Sequence, residues 1–318
     1  MRAVFLDAGS LDTGDLDLDP LRDAVDALSC YGRTATGEVV THLGDAAIAI
    51  TNKVVIDQEV LAACPNLQLV CVVATGTNNV DLAAAEARGV RVVNCRDYAT
   101  ATVPQHVLAL LLSLVRSLPS YTADVTAGDW QRSPFFCRLD HSIHELAELE
   151  LGVIGYGNLG RATAELASAV GMSVNIAERA DQPQIRGGRL PFDDVLRRSD
   201  IVSLHCPLTA ATQQLIGRRE IGLIGEGGYL INTARGGLLD ERAVADALAE
   251  GRLAGAGLDV LSEEPPVSAN PLLERRLPNL LITPHCAWGS QAARRRVVDQ
   301  TAANIRAFRA GQPERIVV

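Results

Sequence analysis

Three side chains in the second half of the chain have the types and settings that acid–base and anion chemistry require. Arg235 stands in Ile231-Asn232-Thr233-Ala234-Arg235-Gly236-Gly237, Glu264 in Leu258-Asp259-Val260-Leu261-Ser262-Glu263-Glu264-Pro265, and His285 in Thr283-Pro284-His285. Each lies just past a short apolar run of strand character. A guanidinium holds a carboxylate through two parallel N–H bonds and polarises a neighbouring carbonyl, which a lysine does less well. An imidazolium gives its proton to an oxygen that becomes a hydroxyl, and the imidazole takes it back in the reverse direction. A carboxylate beside such a ring favours its charged form. The set suits hydride transfer to a 2-oxo acid. Singly, each residue has a plainer reading: a surface arginine, an acidic loop, a structural histidine. Their combination with a cofactor pattern tips the balance toward chemistry.

That pattern is Gly155-Tyr156-Gly157-Asn158-Leu159-Gly160. It follows the apolar run Leu151-Gly152-Val153-Ile154 and opens the helical stretch Arg161 to Val170, and Glu178 stands eighteen positions beyond Gly160, at the end of the strand-like Met172 to Ala177. The first glycine permits a tight strand-to-helix turn, the second lets a pyrophosphate approach the backbone, and the third allows helix and strand to pack closely. A lone G-x-G-x-x-G is weak, but here strand, helix, second strand and terminal carboxylate fall in register. Glu178 can accept ribose hydroxyls and repels a 2′-phosphate, which favours NAD. Arg179 beside it can welcome that phosphate, so NADP stays open.

These residues must be held by elements, and short apolar runs alternate with helical patterns along most of the chain, which argues for parallel α/β architecture. Strands are expected at Ala3 to Leu6, Glu38 to Thr41, Ala46 to Thr51, Leu69 to Ala74 and Val90 to Asn94, with helices at Pro20 to Leu28, Asp57 to Ala63 and Asp81 to Arg88. A long apolar helix is expected from Thr102 to Leu118. Further strands are expected at Ile201 to His205, Tyr229 to Asn232, Ala256 to Asp259 and Leu280 to Ile282, and a last helix at Ser290 to Ala310. Ligands of open α/β sheets sit at the carboxyl ends of strands. There the sequence puts Thr75-Gly76, Gly155, Glu178, Cys206-Pro207, Thr233-Ala234-Arg235, Asp259 and His285, a set that one cleft could collect.

With 318 residues, two domains are the prior expectation, and 47% hydrophobic residues suffice for two cores. The 29 basic and 38 acidic residues leave a net charge of −9, which disfavours nucleic acid and anionic membranes as partners. Seven scattered cysteines lack any C-x-x-C or metal-ligand spacing, so reduced thiols in a cytoplasm and no metal are expected. His141 and His144 have helix-like spacing but no accompanying ligand set, and read as structural. The first residues meet Asp7 too early for a secretory core, and Thr102 to Leu118 is interrupted by polar residues, against a membrane span.

The motifs around Arg235, Glu264, His285 and Gly155 resemble the D-isomer-specific 2-hydroxyacid dehydrogenases, from about Ala46 to Gly311. The resemblance implies two doubly wound parallel-sheet domains, a flavodoxin-like substrate domain (1–98 with 289–318) and a Rossmann NAD-binding domain (99–288). It puts the family's catalytic arginine, glutamate and histidine on Arg235, Glu264 and His285. Glu264 is preferred to Glu263 because it directly precedes a proline and lies five residues after Asp259. It implies cofactor contacts at Asn158 and Leu159 for the pyrophosphate, at Glu178 for the ribose, and at Cys206 and Thr212 on the adenosine side. Thr233, Asp259 and Ala287 fall toward the nicotinamide, and Thr102 is a further candidate. Thr75 and Gly76 match the loop whose amides meet the substrate carboxylate. Several segments resemble the glycerate dehydrogenase or hydroxypyruvate reductase branch, among them Thr51-Asn52-Lys53-Val54 and His285-Cys286-Ala287-Trp288. That branch implies hydroxypyruvate, with glyoxylate as a side substrate, and a homodimer. Asn52, at the substrate pocket, stands where a phosphorylated substrate such as 3-phosphohydroxypyruvate would call for an arginine. Some relatives are instead NADH-sensing corepressors, and an intact catalytic set does not exclude that role.

Overall fold

The computed structural model describes all 318 residues. The chain forms two compact units, Met1–Ala99 with Trp288–Val318, and Thr100–Ala287.

The first unit contains β1 (Arg2–Phe5), α1 (Asp19–Arg22), β2 (Ala27–Cys30), α2 (Val39–Leu43), β3 (Ile48–Thr51), α3 (Gln58–Ala63), β4 (Leu69–Val72), α4 (Leu82–Ala87) and β5 (Arg91–Asn94). The strands form one parallel sheet in the order β2-β1-β3-β4-β5. Its central strands β3 and β4 are buried along their whole length, as unbroken Ile-Ala-Ile-Thr and Leu-Val-Cys-Val runs demand. Asp57 and Asp81 cap α3 and α4 by accepting from Val60 N and Ala84 N, each at 2.9 Å.

Two expectations fail here. The β-branched stretch expected as a strand at Glu38 to Thr41 begins α2, because Val39 and Leu43, one helical turn apart, both bury their side chains while Val40 stays exposed. Burial on one helical face overrides local β preference. The helix expected over Pro20 to Leu28 ends at Arg22, and Ala27–Cys30 becomes the edge strand β2. An edge strand paired on one side and only partly buried carries little alternation to read.

The C-terminal helix Gln291–Arg309 completes this unit. Ser290 caps it through Ala293 N, and Val297, Val298, Ala302 and Ile305 are its buried face. Asn304 Nδ2 donates to Asn94 O at 3.0 Å, and the tail beyond it adds an antiparallel bridge, Val93 to Ile316, that covers the β5 edge.

The second unit opens with α5 (Thr102–Val115) and α6 (Leu118–Thr126), separated where Ser117 turns to φ +50°, so the expected long helix stops three residues short. There follow β6 (Glu150–Ile154), α7 (Asn158–Ala169), β7 (Ser173–Ile176), α8 (Phe192–Arg198), β8 (Ile201–Leu204), α9 (Arg218–Ile224), β9 (Tyr229–Asn232), α10 (Glu241–Ala249), β10 (Gly255–Leu258) and β11 (Leu280–Ile282). The parallel sheet runs β11-β10-β9-β8-β6-β7. From β6 the chain first goes outward to β7 and then returns to the other side as β8. The gap between β6 and β8 is therefore a topological switch point, where ligands of such sheets bind. No helix of the chain is long and apolar enough to cross a membrane.

Candidate active site

The glycine loop opens α7 at the switch point. A β-carbon on Gly155, whose φ is +94°, would lie 2.6 Å from Cys206 N, and one on Gly160 would lie 2.0 Å from Gly155 O. These two positions need glycine for close packing of loop, helix and the end of β8. Gly157 differs: a β-carbon there meets nothing within 4 Å. It faces open space beside the exposed Asn158 and half-buried Leu159 at the N-terminal turn of α7. An exposed backbone cradle at a helix N-terminus fits a pyrophosphate.

Other expected cofactor residues occupy neighbouring strand ends. Thr233, after β9, is buried, and its Oγ1 has no hydrogen-bond partner. Such an orphan is costly unless a ligand satisfies it. Ala234 N donates to Asn232 Oδ1 at 3.0 Å, which shapes the turn that carries Arg235. Burial pushes the Cys206 thiol up to about 11, so it is neutral packing rather than a nucleophile. Thr212 Oγ1 braces the following turn, donating to Pro207 O at 2.7 Å. Thr102 Oγ1 donates to Ala287 O at 3.2 Å.

Glu178 is 1% exposed, and the Arg186 guanidinium beside it holds its carboxyl well below the usual carboxylate range. Its Oε1 accepts from Arg179 N at 2.9 Å, from Arg186 Nη2 and from Arg189 Nη1 at 3.5 Å. Its Oε2 accepts from Arg186 Nε at 2.6 Å and Arg186 N at 3.3 Å. The carboxylate expected to receive ribose hydroxyls is thus already filled by protein donors.

Asp259 is also 1% exposed and ties β10 to the segment after β11. Oδ1 accepts from Thr283 Oγ1 at 2.6 Å and Cys286 N at 2.9 Å, and Oδ2 from Ala287 N at 2.9 Å. Sequence reasoning missed one member of this group. His106, on α5, meets Thr283 Oγ1 through Nε2 at 2.9 Å. Because the threonine spends its only proton on Asp259, its oxygen must accept, and Nε2 of His106 must carry the hydrogen. His106, Asp259 and Cys286 bring ligand-type atoms within 4.8 Å of one another, and hydroxyl and backbone donors engage both oxygens of Asp259.

Arg235, Glu264 and His285 come together. They line one depression of about 160 Å³, with Leu208, Gly236, Gly237, Val260, Leu261 and Ser262. His285 Nδ1 lies 2.7 Å from Glu264 Oε2, while Glu264 Oε1 accepts from Leu261 N at 2.9 Å. One carboxylate oxygen therefore fixes the ring and the other is fixed by the backbone, leaving Nε2 as the ring's working nitrogen. His285 takes φ +52°, with its N–H donating to Asp259 O at 2.8 Å and Thr283 O at 3.0 Å. Two backbone bonds hold the residue in a conformation that costs a non-glycine residue energy, a pattern typical of functional positions. Arg235 is half-buried, and its Nη1 donates to Ala234 O at 2.6 Å. Glu263, the competing candidate, is exposed and accepts from Ser268 Oγ at 3.1 Å.

The residues expected at the substrate belong to the first unit. Asn52 is buried after β3, its Nδ2 donating to Ser10 Oγ at 3.0 Å and its N–H to Asp7 Oδ1 at 2.8 Å. Thr75 Oγ1 donates to Cys95 O at 3.0 Å, and Thr75 closes the bend after β4 with Gly76 next in the chain. His141 contacts Asp124 Oδ2 at 3.0 Å and packs edge-on against Tyr121.

Comparison with known proteins agrees with this geometry. Residues 108–287 match the family model for the D-isomer specific 2-hydroxyacid dehydrogenase, NAD binding domain. The chain is 41% identical to a glycerate dehydrogenase of Methylorubrum extorquens, over 99% of this chain and 98% of that one. It is 37% identical to a hydroxypyruvate reductase of Blautia hydrogenotrophica, over 100% and 99%. A D-lactate dehydrogenase from Aquifex aeolicus, solved with NAD and lactic acid, superposes with a TM-score of 0.84 at 27% identity, over 100% and 99%. A switch-point glycine loop, a carboxylate-held histidine and an arginine in one depression, in a chain so closely matched, make it an NAD-binding oxidoreductase that belongs to the D-isomer-specific 2-hydroxyacid dehydrogenases.

Proposed function

We propose that the chain reduces hydroxypyruvate to D-glycerate, and glyoxylate to glycolate more slowly, with Arg235, Glu264 and His285 as its catalytic residues. The observation that carries the reading is the 2.7 Å contact between His285 Nδ1 and Glu264 Oε2 beside Arg235. Arg235 binds the substrate carboxylate and polarises the adjoining carbonyl. His285 delivers the proton from Nε2 to the carbonyl oxygen, and Glu264 stabilises the charged ring before transfer and orients it throughout. The bound nicotinamide supplies the hydride. Thr233 Oγ1 and the latched segment around Asp259 position the cofactor's reactive end, the exposed Gly157 backbone and Asn158 its pyrophosphate. Asn52, Thr75 and Gly76 serve the substrate.

Likeness to the glycerate dehydrogenase and the hydroxypyruvate reductase supports this substrate. The neutral, buried Asn52 speaks against a phosphorylated one, since no guanidinium stands at that position. We also assign the chain to the cytoplasm, as a homodimer whose contact includes the loop where Phe135 and Phe136 are 72% and 90% exposed. Initial rates of NADH oxidation with hydroxypyruvate, glyoxylate, pyruvate, 2-oxobutyrate and 3-phosphohydroxypyruvate test the substrate. Highest kcat/KM on hydroxypyruvate is expected. A higher value on another acid moves the substrate within the family, and tight NADH binding without turnover of any overturns the catalytic reading.

A further inference from the structure

We propose that Glu178 anchors a guanidinium instead of binding ribose, and that Arg186 so held, with Arg179 and Arg189, receives the 2′-phosphate of NADPH beside the NADH site. The proposal deepens the cofactor site of the reading above and rests on that site being where the dinucleotide binds.

Glu178 lies two residues past β7 and eighteen past the glycine loop, where the second strand of such a fold meets the adenosine ribose. A free carboxylate there accepts the 2′-hydroxyl and repels a phosphate. This one is not free. An ionised carboxylate has about four lone-pair directions, and five protein N–H groups converge on Glu178, three of them from Arg186. A ribose hydroxyl finds no vacant oxygen, and the negative charge that would reject a phosphate is already neutralised.

The loop's construction holds this arrangement. Glu178 N donates to Leu190 O at 2.8 Å and Leu190 N to Ile176 O at 2.9 Å, closing residues 178–190 into a bounded excursion from the sheet. That closure returns Arg186 and Arg189 to the strand end. Arg186 spends Nε and Nη2 on Glu178, leaving Nη1 on a side chain 55% exposed. Arg189 is 18% exposed beside the same oxygen, and Arg179 is exposed next in sequence. An anchored guanidinium has already lost its rotamer freedom, so binding a phosphate costs less ordering. Glu178 becomes a positioning residue for a cation, and an arginine near this strand end accommodates a 2′-phosphate.

Titration of cofactor fluorescence, with no substrate present, tests this independently of which acid the enzyme reduces. The wild-type protein should bind NADPH at least as tightly as NADH, with NADPH the more weakened by added salt. Arg186→Gln should weaken NADPH about tenfold or more while changing NADH by less than about threefold. Glu178→Gln, which releases Arg186, should also act mainly on NADPH. Should Arg186→Gln fail to fold, Arg179→Gln, an exposed loop substitution, gives the same selective loss. Wild-type protein that binds NADPH about tenfold more weakly than NADH, or a Glu178→Gln variant that loses mainly NADH, overturns the proposal.

Discussion

His285 is held at three points: its N–H bonds to two carbonyls, and Nδ1 faces a carboxylate that is itself fixed by Leu261 N. Its replacement by alanine should lower kcat by about 10²–10⁴, with NADH affinity in fluorescence titration little changed; equal losses in both would remove His285 from proton transfer. Arg235→Lys should raise KM for the 2-oxo acid and lower kcat, because one ammonium cannot make two parallel bonds to a carboxylate. An unchanged kcat/KM would show that Arg235 does not hold the substrate. Arg235 and His285 stood out by a reactive type in a strand-end setting, whereas Glu264 was separated from its neighbour Glu263 only by the family resemblance. His106 and Arg186 did not stand out. His106 lies inside an apolar helix and reads as packing, while its partner Asp259 is far along the chain; Arg186 reads as a surface charge until the loop folds back on Glu178.

Among the elements, the turn after β9 depends on the loop after β10. A β-carbon on Gly236 would sit 1.9 Å from Leu261 C, and Leu261 N is the donor that fixes Glu264. Gly236→Ala should therefore part these two loops, destabilise the fold by about 1–3 kcal/mol in denaturant melts, and lower kcat without greatly changing NADH affinity. Wild-type stability and kcat in this variant would mean the loops move apart at no cost. The central strand β9 could be delimited from sequence because a buried parallel strand is an unbroken apolar run bounded by polar turns. The failures at α2 and β2 fall where burial is partial, so that packing partners rather than local composition choose the state.

For the molecule as a whole, acid is the informative perturbation. Burial lowers His205 from 6.5 to about 4, so the folded state excludes a proton that the unfolded chain binds. The sign follows: stability is flat above about 6.5, falls as pH drops toward 4, and loses up to about 3 kcal/mol there. Glu178 and Asp15 add a second loss at lower pH. Hydrogen bonds from Arg186 and Arg294 hold their carboxyls below the usual range, and that contribution disappears as pH falls from about 4 through the folded values. Urea melts across this range should show both stages, and His205→Gln should flatten only the first. Identical slopes for variant and wild type would assign the titration elsewhere.

The first unit is assembled from two stretches separated by the entire second one, and this has a bearing on synthesis. As the chain leaves the ribosome, Met1–Ala99 has its sheet strands but lacks the helix and tail that supply Asn304 to Asn94 and pair with β5. Thr100–Ala287 is finished earlier, as one uninterrupted segment. Domains fold as units during translation, so the order of protection runs opposite to the order of emergence. Nascent chains stalled after residue 287 should resist protease across the second unit while the first remains cleavable until Trp288–Val318 has emerged.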